Sequence, residues 1–483
     1  MSISNVKEGL CIRLLRFLEP KQLAGFEAYL KCSLFNTNTS LVTFYQAIRE
    51  KALRQSEKPL SPEELFKGTG IRPGMFAKYA SQLVNHLEQF IPFWEQKDDP
   101  RHGFADGFSA WERMGLDQDL LERQYRKMKR KAEKLPPSEW QYFQAFELEH
   151  RYLNYKAGQP RKDQAPLFEA AESAFEELQL ITRLRYYCAR ISLRRSLPIG
   201  SEREFSLANI QEDQLPPLGK AYYRAAQLLE AQAPDLEETT QFYAWLKEQQ
   251  KQFSLQDRQD LFGFLLNICI PFATKAPLFT QLLDEVYAEM VAARLLHTQG
   301  HLPGSHFKNI VSIKIRLGSW ESANQFIERH HPELVTQDQE ILLPYTQGLV
   351  AYHQGSYRPA VALFRKVLDH QLADVYWGME ARLMLWRTYY EILEDLDPEE
   401  HSEFIRQYDA LRIYVSRRNH LSPQQKTAYE HFIRIFNRLA HMKEESPTKE
   451  ELQTLQSEVQ GLPVIKQRSW LLSVIDRELE AIG

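Results

Sequence analysis

The chain is expected to fold as an all-α protein, an α-solenoid of stacked helix-turn-helix repeats behind a small N-terminal helical domain. Three features lead there. Apolar residues recur at the 3.6-residue period of a helix through nearly every long segment, and almost nowhere alternate as in a half-buried strand. The 20 glycines and 24 prolines gather between the periodic segments, where they punctuate helices. The strings GSWESANQFI from Gly318 and GSYRPAVALF from Gly355 carry Gly, Ser, an aromatic residue, Ala and a large apolar residue in the same places, 37 residues apart (355 − 318). With 483 residues the chain exceeds a single core, which stops growing at about 250–300 residues, and the repeat favours an array.

Residues 1–97 read as the N-terminal helical domain. EPKQLAGFEAYLKCSLF and TSLVTFYQAIREKAL are helical by period. Ser61 is placed to cap a short third helix, with Pro62 in its first turn and Glu64 three residues after the cap, a capping box. After KGTG, a longer helix from Pro73 to about Glu95 aligns Phe76, Tyr79, Leu83, Leu87 and Phe90 in one stripe. A short helix, a glycine turn and a longer helix also describe a DNA-binding helix-turn-helix, which would offer Arg72, Lys78 and Gln82 to a groove; a plain helical hairpin has the same layout. Residues 98–115, containing KDDPRHGFADGFS, have breakers and no period and read as a linker.

Residues 116–217 form a helical region. Long helices are expected from Leu116 to Lys134, Ser138 to Lys156 and Gln164 to Arg195, before SLPIGSEREFSLANIQEDQLPP interrupts. Residues 218–443 then pair helices at about forty residues per pair. Ser305–Leu317 goes with Trp320–His330, Glu340–Gln354 with Tyr357–His370, and Val375–Leu393 with Pro398–Arg418. Residues 444–483 read as C-terminal capping helices.

An amphipathic helix pair cannot bury its apolar face alone, so similar pairs stack and share a continuous core. Gly318 and Gly355 end the first helix of a pair, where glycine adopts left-handed dihedrals without strain. Trp320 and Tyr357 start the second helix, Ala323 and Ala360 are small where helix axes approach, and Ile327 and Phe364 fill the interface one turn on. These residues resemble the tetratricopeptide repeat. In GLVAYHQGSYRPAVALF, Gly348, Gly355, Tyr357, Ala360 and Phe364 all fall on its signature. In NIVSIKIRLGSWESANQFI, Val311 replaces the small residue, and Trp320 and Ile327 replace Tyr and Phe. The order of small helical domain, basic helix and degenerate repeats is also similar to a group of bacterial proteins of like length and no assigned function.

Composition sets limits on function. Sixty basic and 64 acidic side chains give a net charge of −4, so any pull on nucleic acid or an anionic membrane has to be local. Hydrophobic content of 43%, charged content of 26% and a mean hydropathy of −0.48 are those of an ordinary soluble protein. The N-terminal stretch mixes charges into its apolar runs, unlike a signal peptide, and the richest apolar run, LFGFLLNICIPFA, is too short to span a bilayer. A cytoplasmic location is expected. Cys11, Cys32, Cys188 and Cys269 form no CxxC pair and read as packed thiols.

Few stretches carry recognisable chemistry. RQYRKMKRKAEK places Arg123, Arg126, Lys127, Arg130 and Lys134 along one helical face, a candidate track for a phosphate backbone or a solvated helix face. His297, His301 and His306 cluster, as do His330 and His331, but Gly300, Pro303 and Gly304 break the helix that would align the first three. No metal site is therefore expected, and these are read as exposed loop histidines. Glu147 with His150, and Glu328 with His331, match the Glu-x-x-His spacing of di-iron bundles, as chance also provides in a chain with 14 histidines. EDLDPEEH, from Glu394, lacks the glycine of a calcium loop and reads as a helix stop and a new start. Neither a P-loop, GxGxxG, GxSxG nor HExxH occurs.

The expected function is a non-catalytic intracellular scaffold without cofactors. The repeat resemblance implies a concave face, lined by first helices, that grips a protein or peptide segment of unspecified identity. The positions that would line it are Lys308, Ser312, Arg316, Tyr345, Leu349, Tyr352, His353, Arg382 and Trp386, with aromatic and arginine anchors of the type that dominate binding energy. Lys308 fits the family's carboxylate clamp, but Ser312 stands where Asn is expected, so capture of a C-terminal carboxylate is not expected. The alternative is a nucleic-acid-binding or regulatory protein using residues 61–95 or the basic helix 122–134. An enzyme with an unrecognised site is the remaining possibility.

Overall fold

In the computed structural model of the protein, the described residues are 10–52, 62–97, 104–157, 164–194, 205–231, 233–273, 276–369, 375–417, 422–445 and 447–482. Among them the secondary structure is helical apart from one isolated bridge, Thr298–His301. The chain divides into two compact units, Met1–Gln179 and Leu180–Gly483.

The first unit holds α1 (Leu10–Arg16), α2 (Pro20–Lys31), α3 (Thr39–Ala47), α4 (Pro62–Phe66), α5 (Phe76–Lys97), α6 (Phe104–Arg113), α7 (Gln118–Ala132), α8 (Glu139–Lys156) and the start of α9 (Ala165–Arg194). An aromatic core joins α2, α3, α4 and α5: Phe26 lies edge-on to Tyr45 at 5.2 Å and 5.1 Å from Phe90, and Phe44 lies 5.4 Å from Phe66. The predicted stripe of α5 enters this core through buried Phe76, Leu83, Leu87 and Phe90. Ser61, the expected cap of α4, lies outside the described residues.

The stretch read as a linker is instead partly helical. Residues 98–103 lie outside the description, but α6 occupies Phe104–Arg113. Gly107, read as a breaker, is a packing residue: a Cβ there would stand 3.0 Å from the Met128 methyl of α7. One turn of this helix is enough to bury Phe108 completely, edge-on to Tyr152 of α8 at 5.9 Å. Ser138 caps α8 as expected for that position, its hydroxyl accepting from the Gln141 amide at 3.1 Å.

The second unit continues with α10 (Pro217–Glu230), α11 (Leu236–Gln249), α12 (Leu255–Cys269), α13 (Pro277–Ala292), α14 (Gly304–Arg316), α15 (Trp320–His330), α16 (Thr336–His353), α17 (Tyr357–Asp369), α18 (Val375–Glu391), α19 (Pro398–Arg417), α20 (Pro423–Glu445), α21 (Lys449–Gly461) and α22 (Arg468–Ile482). Helices pack mainly on their next neighbour or the next but one: α10 on α12, α11 on α13, α14 on α15 and α16, and α16 on α17 and α18.

The two corners that the repeat singled out have one geometry. Gly318 (φ +68°) and Gly355 (φ +76°) are left-handed. Their amides donate to Ile315 at 2.9 Å and Tyr352 at 3.1 Å, and the next amides, Ser319 and Ser356, donate to Lys314 and Ala351, each at 2.9 Å. This doubled bond pattern satisfies the last carbonyls of α14 and α16, and it needs a residue that tolerates positive φ. Ala323 and Ala360 are fully buried, as required where helices close on each other. Phe364 of α17 packs against Gly348 of α16, where a Cβ would come within 2.8 Å of the ring.

Candidate functional site

The expected first-helix face is only partly open. Arg316 and His353 are exposed, and Lys308, Ser312 and Arg382 are partly accessible, whereas Tyr345, Leu349, Tyr352 and Trp386 are buried. Lys308 on α14 comes within 4.0 Å of Glu380 on α18. Because α16 packs on both helices, this approach closes the space between them, and Tyr345 keeps 1% of its surface. Its ring rests 6.0 Å from Phe364 and 5.9 Å from Trp377. Trp386 is covered by Phe432 and Phe436 of α20, at 6.1 and 4.9 Å. The Ser312 hydroxyl bonds to the Lys308 carbonyl at 2.9 Å, so it is engaged with its own helix.

Tyr352 is buried by the chain's own C-terminal helix. The indole N–H of Trp470, on α22, donates to the Tyr352 hydroxyl at 3.1 Å. The Arg387 guanidinium lies 4.9 Å from the Tyr352 ring and 5.2 Å from the Trp470 ring, within cation–π range of both. Arg477 pairs with Glu391 at 2.9 Å and the Tyr390 hydroxyl donates to Glu478 at 3.1 Å. Helix α22, packed on α20 and α21, therefore reaches Tyr352 of α16 through Trp470 and Tyr390 and Glu391 of α18 through Glu478 and Arg477. Beyond this contact, His353 stacks on Trp320 at 6.3 Å.

In the first unit, α7 presents a row of free cations. Arg123, Lys127, Arg130, Lys131 and Lys134 are exposed, and among the described residues none makes an ion pair or hydrogen bond. Arg126, expected in the same row, pairs with Glu122 at 3.5 Å. On the inner side of α7, Tyr125 stacks on Tyr152 at 3.7 Å and donates to Glu149 at 2.7 Å, while Lys129 pairs with Glu149 at 2.6 Å. The inner charges are thus matched and the outer ones are not. The helix-turn-helix reading of residues 61–95 meets a first helix of five residues whose Leu65 and Phe66 are buried, and Gln82 is bonded to Asn38 at 3.3 Å, while Arg72 and Lys78 are exposed.

Of the histidines read as exposed loop residues, His301 is exposed in its loop, whereas His297, His306, His330 and His331 are partly covered. His297 is buried, with 5% of its side chain accessible, and its Nε2 lies 2.6 Å from Glu333. His330 reaches the other oxygen of Glu333 at 3.1 Å. His306 is packed edge-on to Tyr287 at 6.0 Å, and burial lowers its pKa. Burial raises the Glu333 pKa, but the hydrogen bonds to His297 and His330 outweigh it and leave the carboxyl below its ordinary value. These groups edge a cleft of about 400 Å³ between α13, α14 and α15, whose lining also includes Asp284, Arg294, Lys314 and Arg329. Sequence alone separates His297 from Glu333 by a loop and two helices; only the pairing of α14 with α15 brings them together. Among the described residues, no group of three or more His, Cys, Asp or Glu is arranged to hold a metal ion.

The cysteines are all free. Burial pushes the thiols of Cys11 and Cys269 up to about 11 and about 12, and that of Cys188 higher still, so these three are packing residues and poor nucleophiles. No helix among the described residues is long and apolar enough to cross a membrane. Comparisons with protein-family models, curated proteins and solved structures returned no match.

Proposed function

We propose that the protein is a non-catalytic scaffold, an α-solenoid of tetratricopeptide-like helix pairs whose first-helix face holds a protein segment. The observation that carries this reading is α22. The chain's own helix reaches α16 and α18 through a buried Trp470, flanked by Arg387, Arg477 and Glu478, the aromatic-plus-charge arrangement of a binding hot spot. A face that seats one amphipathic helix is suited to seat another segment on its open part, at Arg316 and His353. Four free cysteines fit a reducing compartment, and the reading places the scaffold in the cytoplasm. The test is affinity capture from native lysate with the chain and an Arg316→Glu, His353→Ala variant. A stoichiometric protein lost from the variant supports the face; equal recovery rejects it.

A second reading rests on α7. Five exposed, unmatched cations over about three turns, four on α7 and Lys134 just past its end, suit a phosphate backbone, and they make the basic helix a nucleic-acid contact in this reading. Five phosphate contacts give a slope of about −4.5 for log K against log salt on duplex DNA. Replacing Lys127 and Arg130 by Gln lowers the slope magnitude to about 2.7. A gel-shift titration that detects no complex at low salt ends this reading.

A further inference from the structure

The cleft between α13, α14 and α15 lies outside both readings, and its charges and backbone point to a ligand. We propose that it binds a small organic anion, whose phosphate or carboxylate is held by Arg294 and Arg329 and whose apolar part rests on Tyr287, Val291, Ile310 and Phe326.

The acids in the cleft are already matched. Lys314 bonds both oxygens of Asp284, at 2.9 and 3.2 Å, and Glu333 takes His297 and His330. The two arginines are the surplus. Arg329 is exposed and makes no ion pair or hydrogen bond among the described residues, and Arg294 donates only a 3.3 Å bond to the Gly300 carbonyl. Planar guanidinium forks are the side chains best shaped to take a phosphate or carboxylate with paired hydrogen bonds. The volume of about 400 Å³ falls in the range of small-molecule sites.

The backbone at Arg294 is an independent indication. Helix α13 ends in the same bond pattern as α14 and α16: the Arg294 amide donates to Val291 at 3.0 Å and the Leu295 amide to Met290 at 2.8 Å. At the left-handed position, where the other two corners have glycine, this corner has Arg294 at φ +54°. A side chain there is strained, and strain of this kind gathers at functional sites. The connection to α14 is also preorganised. Thr298 and His301 exchange amide bonds of 2.8 and 3.0 Å around Gln299 (φ +52°) and Gly300 (φ +84°), a tight turn, and the Leu302 amide is anchored to the Glu333 carbonyl at 3.0 Å. The connection that follows Arg294 and His297 at the edge of the cleft is thus held by its own bonds, which limits the ordering cost of binding there.

Calorimetric titration of the full chain with phenyl phosphate, benzoate and inorganic phosphate tests the site, alongside thermal melting of Arg294→Gly and Arg329→Gln variants. Saturable one-to-one binding of phenyl phosphate or of benzoate is expected, and the tighter of the two assigns the head group. Inorganic phosphate, lacking the apolar part, should bind more weakly. Arg294→Gly should melt higher than the parent without ligand, because the left-handed strain is relieved, yet lose at least about tenfold in affinity with its charged hydrogen bonds. Arg329→Gln should lose affinity with its melting temperature unchanged. No saturable heat with either aromatic anion, or parent-like affinity in Arg294→Gly, would overturn the proposal.

Discussion

Gly348 and Phe364 show how much a single hydrogen atom decides in this fold. Alanine is ordinarily better than glycine inside a helix by about 1 kcal/mol, but here its Cβ would press on the Phe364 ring. Gly348→Ala is expected to destabilise the second unit by about 1–3 kcal/mol in urea unfolding, and a shortened partner, Phe364→Leu, should recover part of the loss. A stabilised Gly348→Ala would show that the contact is absent. Glu27 makes a residue-level prediction of another kind. Its carboxylate is bonded by Lys31 at 2.6 Å, by Gln46 at 2.9 Å and by Arg49. The bond from Lys31 contributes most to lowering its pKa from an ordinary 4.5 to about 2. A folded-state pKa below the unfolded one means stability that is present above pH 4.5 and is lost as the pH falls towards 2. After solvent screening this amounts to about 1 kcal/mol. Glu27→Gln should therefore unfold more easily than the parent at pH 7, with the difference vanishing near pH 2. At this scale the corner glycines Gly318 and Gly355 were legible, because each follows from local backbone geometry. Glu27 was not, because Arg49 reaches it from a different helix.

Helices were mostly legible as elements, since their apolar period is written along the chain. Trp320–His330 forms over the residues expected, and α16 differs mainly in starting earlier, at Thr336. Two were not: the short α1, and α6, where a glycine accommodating Met128 mimics a breaker. The exposure of whole faces was not legible. Periodicity places Tyr345, Tyr352 and Trp386 on first helices, but whether they line a groove depends on what packs above them. The approach of α14 to α18 closes over the first, α22 covers the second and α20 the third. The contact of α22 gives the prediction proper to elements. Trp470→Ala should cost about 3–5 kcal/mol, the range for losing a buried tryptophan. Tyr352→Phe removes the hydroxyl that Trp470 and Arg387 share, and should cost about 0.5–1.5 kcal/mol. If α22 sits on α16 through that hydroxyl, the two losses are sub-additive in a double-mutant cycle read by chemical denaturation. Additive losses would place Trp470 elsewhere.

For the molecule as a whole, a net charge of −4 conceals a local division of labour. Within the first unit, Lys129 on the inner side of α7 is matched to Glu149 and Lys156 of α8 to Glu122, while the outer cations Arg123, Lys127, Arg130 and Lys131 are left free. Within the second unit, helices pack mainly on their next neighbour or the next but one, and the open positions Arg316 and His353 lie near Tyr352, which Trp470 of α22 covers. Composition alone revealed neither feature. The repeated corners were visible because identical corners require identical residues, while the exposure of the first-helix residues depends on which distant helices pack above them. The scaffold reading is tested most directly by site-specific photo-crosslinking in living cells. A benzophenone amino acid replaces Arg316 on the first-helix face or, as a control, exposed Gln325 on α15. The account predicts a single discrete protein adduct from position 316 and none from position 325. No adduct at 316, or the same adducts from both positions, would contradict it.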